Sequence, residues 1–205
     1  MAMYIISEER LTEIADMIRS KTGGTEPLSP ADMVTAIHSI IAQRDIDGLI
    51  ERTTTVVEST SATKIGANAF YDYAALTDVI FQSVRVIGND AFNRCTSLSS
   101  VELPSLSILG ARVFNNCSSL TTLDFRDSRL TAIPANSFSG SGLTTIWLPS
   151  SVFCAAVKNS FSGCPLAPDG TGGTIYLPAS YRTAYEANTG WAEVIGSTNN
   201  RVISY

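Results

Sequence analysis

The chain has 205 residues, enough for a sizeable core, and length alone allows one or two domains. Its net charge is −5 at pH 7, with Lys and Arg scattered rather than clustered, which excludes broad nucleic-acid binding and docking on an anionic membrane. Only 16% of residues are charged, so the polar surface is mainly Ser and Thr hydroxyl.

Residues 1–44 read as a helical hairpin. Ser7 is an N-cap, and Leu11, Ile14, Ala15 and Ile18 form one apolar stripe up to about residue 21. Gly23 ends that helix, and Ser29-Pro30-Ala31-Asp32 opens a second one with Met33, Ile37, Ile40 and Ile41 on its apolar face. This hairpin buries little for an independent unit. It therefore packs on the rest of the chain, on copies of itself as a homo-oligomer, or on a partner. The opening stretch has no apolar segment with a cleavage site, and no run approaches the roughly 20 apolar residues of a membrane-spanning helix. No wall-anchoring signal is found either. The expectation is a cytoplasmic chain without membrane insertion, unless a larger particle carries it.

Residues 45–64 form a linker and a capping strand, with Thr53–Glu58 rich in β-branched residues. A repeat then begins. An aliphatic residue is followed five positions later by Phe, then by a small residue or Cys, a Leu and a short strand. Its cleanest copy runs Ile87-Gly-Asn-Asp-Ala-Phe92-Asn-Arg-Cys95-Thr-Ser-Leu98-Ser-Ser-Val101-Glu-Leu103-Pro104. Phe70, Phe92, Phe114, Phe138 and Phe161 are spaced by 22, 22, 24 and 23 residues. A near-constant period in the low twenties predicts a solenoid of about five coils over 65–178. Strands are predicted over 77–81, 99–103, 121–125, 144–148 and 174–177. Val79/Phe81, Val101/Leu103, Leu123/Phe125, Ile146/Leu148 and Ile175/Leu177 point inward.

Cys95, Cys117 and Cys164 each follow the repeat Phe by three, a slot that Tyr73 and Ser141 fill elsewhere. Side chains of one slot point the same way, which disfavours disulfides; these are small buried residues. Metal-ligand spacing is absent, so no metal or cofactor is expected. Residues 166–174 are a Gly/Pro-rich insertion, read as a flexible loop. Residues 179–205 form the C-terminal cap that an open solenoid end requires. A helix carrying Tyr181, Ala184 and Tyr185, then Trp191, supplies it, and Val202–Tyr205 adds a last strand.

At these residues the repeat resembles the BspA-like leucine-rich repeat family, over about 53–178. The segment from Ile175 to Trp191 resembles the closing segment of such arrays. Leu11 to Gly23, then Leu28 to Met33 and Ile37, is similar to a short module at the start of tail-fibre-like proteins of phages. The implied fold class is α+β: a leucine-rich-repeat-type β-solenoid with an N-terminal α-helical hairpin and a helical C-terminal cap. The implied function is a non-enzymatic phage or prophage structural protein, located in the virion and recognising a host-surface protein or glycan, or other virion proteins. The alternatives are a BspA-like module that binds another protein, and an architectural spacer or virion decoration.

Catalytic residues are not expected. His38, the single histidine, sits beside the second helix's stripe with no nucleophile motif nearby. Gly170-Thr-Gly-Gly173 lacks the Lys-Ser/Thr of a phosphate loop. Asp124 and Asp127 lack a third acid at calcium-loop spacing. The candidate binding surface is the outward strand column: Ile80, Glu102, Asp124, Trp147 and Tyr176. Trp147 and Tyr176 are adjacent large aromatics, as interface anchors often are. Glu102 and Asp124 would serve as acceptors beside a carbohydrate platform.

Overall fold

A computed structural model describes residues 55–157 and 159–205. The chain divides into units Met1–Glu51 and Arg52–Tyr205, and the described residues belong to the second. The hairpin expected over 1–44, His38 included, lies outside the described residues.

Two columns of parallel strands run the length of the repeat unit. The first holds β1 (Val56–Ser59), β3 (Asp78–Phe81), β5 (Ser100–Glu102), β7 (Thr122–Asp124), β9 (Thr145–Trp147), β11 (Thr174–Leu177) and β12 (Arg201–Ser204). The second holds two-residue strands: β2 (Lys64–Ile65), β4 (Val86–Ile87), β6 (Ile108–Leu109), β8 (Ala132–Ile133) and β10 (Ala155–Ala156). The first column follows the predicted strands, shortened by a residue or two at their ends. The second was not anticipated, because two residues cannot display an alternation. Alternate side chains turn inward along the first column and one per strand along the second. Val79, Phe81, Leu123, Ile146, Ile175 and Leu177 are buried in the first, where Val101 is half-buried against the core, and Ile65, Ile87, Leu109, Ile133 and Ala156 in the second.

The repeat Phe closes each coil. Phe92, Phe114 and Phe138 are fully buried, and the five rings stack with centroids 5.1, 5.6, 6.0 and 5.4 Å apart. To drop the ring into the core, the chain enters the left-handed region twice per coil. Asn68, Asp90, Arg112, Asn136 and Asn159 stand two residues before the Phe, and Asp72, Arg94, Asn116, Gly140 and Gly163 two after it, all with φ between 56° and 72°. Asn, Asp and Gly tolerate this conformation; Arg does so at a cost. Each of the two Arg exceptions is held by an Asp in its own slot one coil earlier. Arg112 grips Asp90 through Nε and Nη2 at 2.8 and 2.7 Å, and Arg94 Nε meets Asp72 at 3.2 Å.

The Cys slot lies beside the Phe column. Cys95 Sγ donates to the Phe70 carbonyl at 3.0 Å and Cys117 Sγ to the Phe92 carbonyl at 3.1 Å. All four cysteines are free and buried. Burial pushes the Cys117 thiol well above its ordinary range, Cys154 to about 12 and Cys164 to about 11. Ser141, in the same slot, is buried with no hydrogen-bond partner for its hydroxyl among the described residues.

A seam crosses both columns. β1-β3-β5 form one ladder and β7-β9-β11-β12 another; β2-β4-β6 are likewise separate from β8-β10. The seam coincides with a change in coil length. Six positions separate Glu58 from Lys64, Ile80 from Val86 and Glu102 from Ile108. Eight separate Asp124 from Ala132 and Trp147 from Ala155. Like-length coils register on each other, and unlike ones lose the strand ladder. What continues across the seam is the Phe column, at its widest spacing of 6.0 Å, and backbone bonds outside the strands, among them Arg129 N–H to Leu106 C=O at 2.8 Å, Phe114 N–H to Ser137 C=O and Asn116 N–H to Ser139 C=O.

The C-terminal end is closed by a 3₁₀ turn (Ala179–Tyr181), α1 (Arg182–Ala187) and α2 (Thr189–Ile195). Tyr185 and Trp191 are fully buried, and Trp191 stands 5.0 Å from Phe161, so the ring column ends on the cap. Their polar atoms are satisfied by one residue: the Cys154 carbonyl accepts from Trp191 Nε1 at 2.7 Å, and the Cys154 N–H donates to Tyr185 Oη at 3.2 Å. Burial pushes the Tyr185 phenol up. Asn188 caps α2, its Oδ1 accepting from the Trp191 N–H and from the Ala156 N–H of β10.

The insertion before β11 is packed rather than loose. Gly172 N–H donates to Pro165 C=O, and Asn199 Nδ2 to Gly170 C=O. Gly172 has φ +92°, and a Cβ there would fall 2.0 Å from the Asn199 carbonyl oxygen. The glycines thus permit close backbone approach between the insertion and the lead-in to β12, which is why composition alone suggested mobility.

Candidate functional site

The outward positions of the first column are fixed by register. Glu58, Ile80 and Glu102 are aligned on β1, β3 and β5; Asp124, Trp147, Tyr176 and Ile203 are aligned on β7, β9, β11 and β12. The seam therefore divides the predicted column. Ile80, half-buried, and Glu102, exposed, lie on one ladder, and the remaining three candidates lie on the other.

On the second ladder the side chains form a connected set. The Trp147 and Tyr176 rings stack with centroids 4.6 Å apart and planes within 5°. Both are half-buried rather than fully exposed, because each covers one face of the other. Arg126 Cζ lies 5.5 Å from the Trp147 centroid, on the side away from Tyr176, a cation–π distance. Asp124 holds that guanidinium in place through 2.6 Å and 3.0 Å contacts, and also accepts from the Arg126 backbone N–H at 3.0 Å. Burial pulls the Asp124 carboxyl upward, but the Arg126 bonds more than offset this and it lies below its usual range.

This geometry alters the roles expected from sequence. Asp124 spends its oxygens on Arg126 instead of presenting free acceptors. The indole offers its edge, since Tyr176 takes one face and Arg126 the other. Trp147 Nε1 and the Tyr176 hydroxyl make no hydrogen bond with the described residues, and stand available at the surface. Glu102 makes no ion pair with the described residues.

Sequence reasoning missed Arg126 and Ile203. Arg126 lies two residues beyond β7, where alternation places no side chain over the neighbouring strand; only the Asp124 pairing does so. Ile203 was within reach, since Arg201-Val-Ile-Ser204 repeats the alternation of Thr174-Ile-Tyr-Leu177. Among the described residues no helix is long and apolar enough to cross a membrane.

Comparisons with known proteins agree with this architecture. The BspA type leucine rich repeat region (6 copies) matches residues 59–168, more than half of the chain. Among solved structures, the T. pallidum leucine-rich repeat protein TpLRR is similar at 28% identity with a TM-score of 0.52, over 62% of this chain and 61% of that one. The match thus spans less than two thirds of that protein's length. No curated protein matches the chain. Columns of parallel strands, a stacked Phe column spaced by 22–24 residues and the family match lead to one conclusion: the chain belongs to the BspA-type leucine-rich repeat family.

Proposed function

We propose that this chain is a non-enzymatic recognition module that binds another protein through the outward face of β7, β9 and β11. The observation that carries the reading is the Trp147–Tyr176 stack with Arg126 over the indole. Trp, Tyr and Arg are the residue types that dominate interface energetics. Here all three are contiguous, already ordered against one another, and set on rigid strands, so little side-chain entropy is lost on binding.

A protein surface suits the stack better than a sugar does. A pyranose packs on a ring face, and both faces of Trp147 are covered. Ring edges, an indole N–H, a phenol and a guanidinium suit the mixed apolar and polar contacts of a protein interface. Of the two recognition readings the sequence allows, the family membership supports the protein-binding repeat module. The virion reading rests on residues 11–37, outside the described residues, and gains nothing from either comparison. Trp147→Ala combined with Tyr176→Ala tests the proposal in binding assays against candidate partner proteins, host cells and glycans. The expected outcome is loss of protein binding by about 2 kcal/mol or more, roughly 30-fold. Protein binding unchanged in the double variant would sink it.

A further inference from the structure

We infer that the open edge of β12 pairs with the same edge of a second copy of this chain. Among the described residues β12 has a strand neighbour on one side only, β11. The parity of its bonds shows which backbone groups are used. Arg201 N–H donates to Gly173 C=O, Tyr205 N–H donates to Leu177 C=O, and the Tyr205 carbonyl accepts from Ala179 N–H. Residues 201, 203 and 205 therefore turn their backbone groups to β11, and Val202 and Ser204 turn theirs to the open side. N–H and C=O groups set out at strand spacing are best complemented by another extended backbone.

Antiparallel pairing of two β12 strands uses these groups in one register. Val202 exchanges both bonds with Ser204 of the second copy, and Ser204 with its Val202. Ile203 then meets Ile203 of the second copy at a non-hydrogen-bonded site, where Cα atoms approach to about 4.5 Å and cross-strand side chains touch. Arg201 comes opposite Tyr205 of the second copy, so no like charges face each other. The edge carries no proline and no left-handed residue marking a bulge, two devices by which exposed strands avoid such pairing, and its one charged side chain, Arg201, stands at the end of the strand. The contact is isologous and closes on itself as a dimer. It joins the column Trp147–Tyr176–Ile203 to its two-fold copy in one continuous sheet, a surface distinct from the hairpin expected over 1–44.

The full-length chain tests this by sedimentation across a wide concentration range. Wild type should dimerise. Ser204→Pro removes an outward N–H, and with it the Ser204 hydroxyl that accepts from Arg182 Nη1 at 3.3 Å, while sparing the bonds to β11, and should weaken the dimer about tenfold or more. Where Ser204→Pro alters the fold, Ile203→Lys carries the test alone, since it places like charges across the two-fold axis. Ile203→Cys should crosslink to a disulfide dimer under mild oxidation, because the four native cysteines are buried and the new thiol is accessible. Ile108→Cys, 57% exposed on the other column, is the control and should crosslink more slowly. A monomeric wild type overturns the inference. So does a dimer that Ile203→Lys leaves intact, including one held through residues 1–44, or crosslinking at 203 no faster than at 108.

Discussion

Phe114 is the last ring before the seam, and its removal should do more than lower stability. Its side chain is fully buried between Phe92 at 5.6 Å and Phe138 at 6.0 Å. A buried Phe covers roughly 150–250 Å², which at about 25 cal/mol per Å² is about 4–6 kcal/mol. Ala retains part of this, so Phe114→Ala should cost about 3–5 kcal/mol. That is a large share of the roughly 5–15 kcal/mol stability of a typical domain. Phe92→Ala should cost the same, since Phe92 is equally buried and equally stacked. The two should differ in cooperativity. Around Phe92 the strand ladders of β1, β3 and β5 still bind neighbouring coils, whereas beyond Phe114 no strand ladder crosses to the next coil. In a linear array, stability is a sum of coil and interface terms, and a weak interface uncouples the two sides. Both tryptophans, Trp147 and Trp191, lie on the C-terminal side of the seam. Urea unfolding followed by tryptophan fluorescence therefore reports that side, and far-UV circular dichroism reports both. The two curves should separate in Phe114→Ala and keep the wild-type relation in Phe92→Ala. Equal separation in both variants, or in neither, would refute the role given to the seam.

Two further predictions concern single side chains. Ser141→Cys should raise the urea midpoint, by about 1–3 kcal/mol in stability, because the longer Cys side chain reaches the Phe114 carbonyl as Cys95 and Cys117 reach theirs; an unchanged or lower midpoint would show that the buried hydroxyl is not a defect. Arg112 holds the Asp90 carboxyl below its usual range. That contribution is present above the unfolded carboxyl value of about 3.9 and is lost as pH falls through the lower folded value. Asp90→Asn should therefore flatten the acid limb of stability below about pH 4, and an acid limb as steep as wild type would contradict it.

The sequence displayed the coil, because Phe, Leu and the Cys slot recur at fixed offsets and each has one burial role. It displayed the cap through Tyr185 and Trp191, which no surface position would require. The second strand column stayed hidden: Lys64–Ile65 and its equivalents are too short for periodicity, and only pairing between coils makes them strands. The seam was present in the spacing, in the step from 22 to 24 residues between Phe114 and Phe138, but its consequence depends on where the extra residues fall. Within the candidate surface, alternation put Trp147 and Tyr176 side by side on neighbouring strands, without revealing that their stacking would leave both half-buried. It could not show that Asp124 would be engaged by Arg126, since that contact depends on a side chain folding back over the next strand.

The change of coil length also constrains how such a chain can lengthen or shorten over evolutionary time. A coil duplicated among β1 to β6 brings a six-position spacing beside its own kind, and both ladders extend without interruption. The same holds for an eight-position coil copied among β7 to β10. Copied to the wrong side of the boundary, either would create new mismatched borders and unpair strands at each. The paired Asp and Arg of the left-handed turns tighten the rule, because excising the coil that holds Asp90 strands Arg112 in a conformation it adopts with help from one coil away. Gain or loss of whole coils is therefore confined to homogeneous runs, and the boundary between them is inherited as a unit.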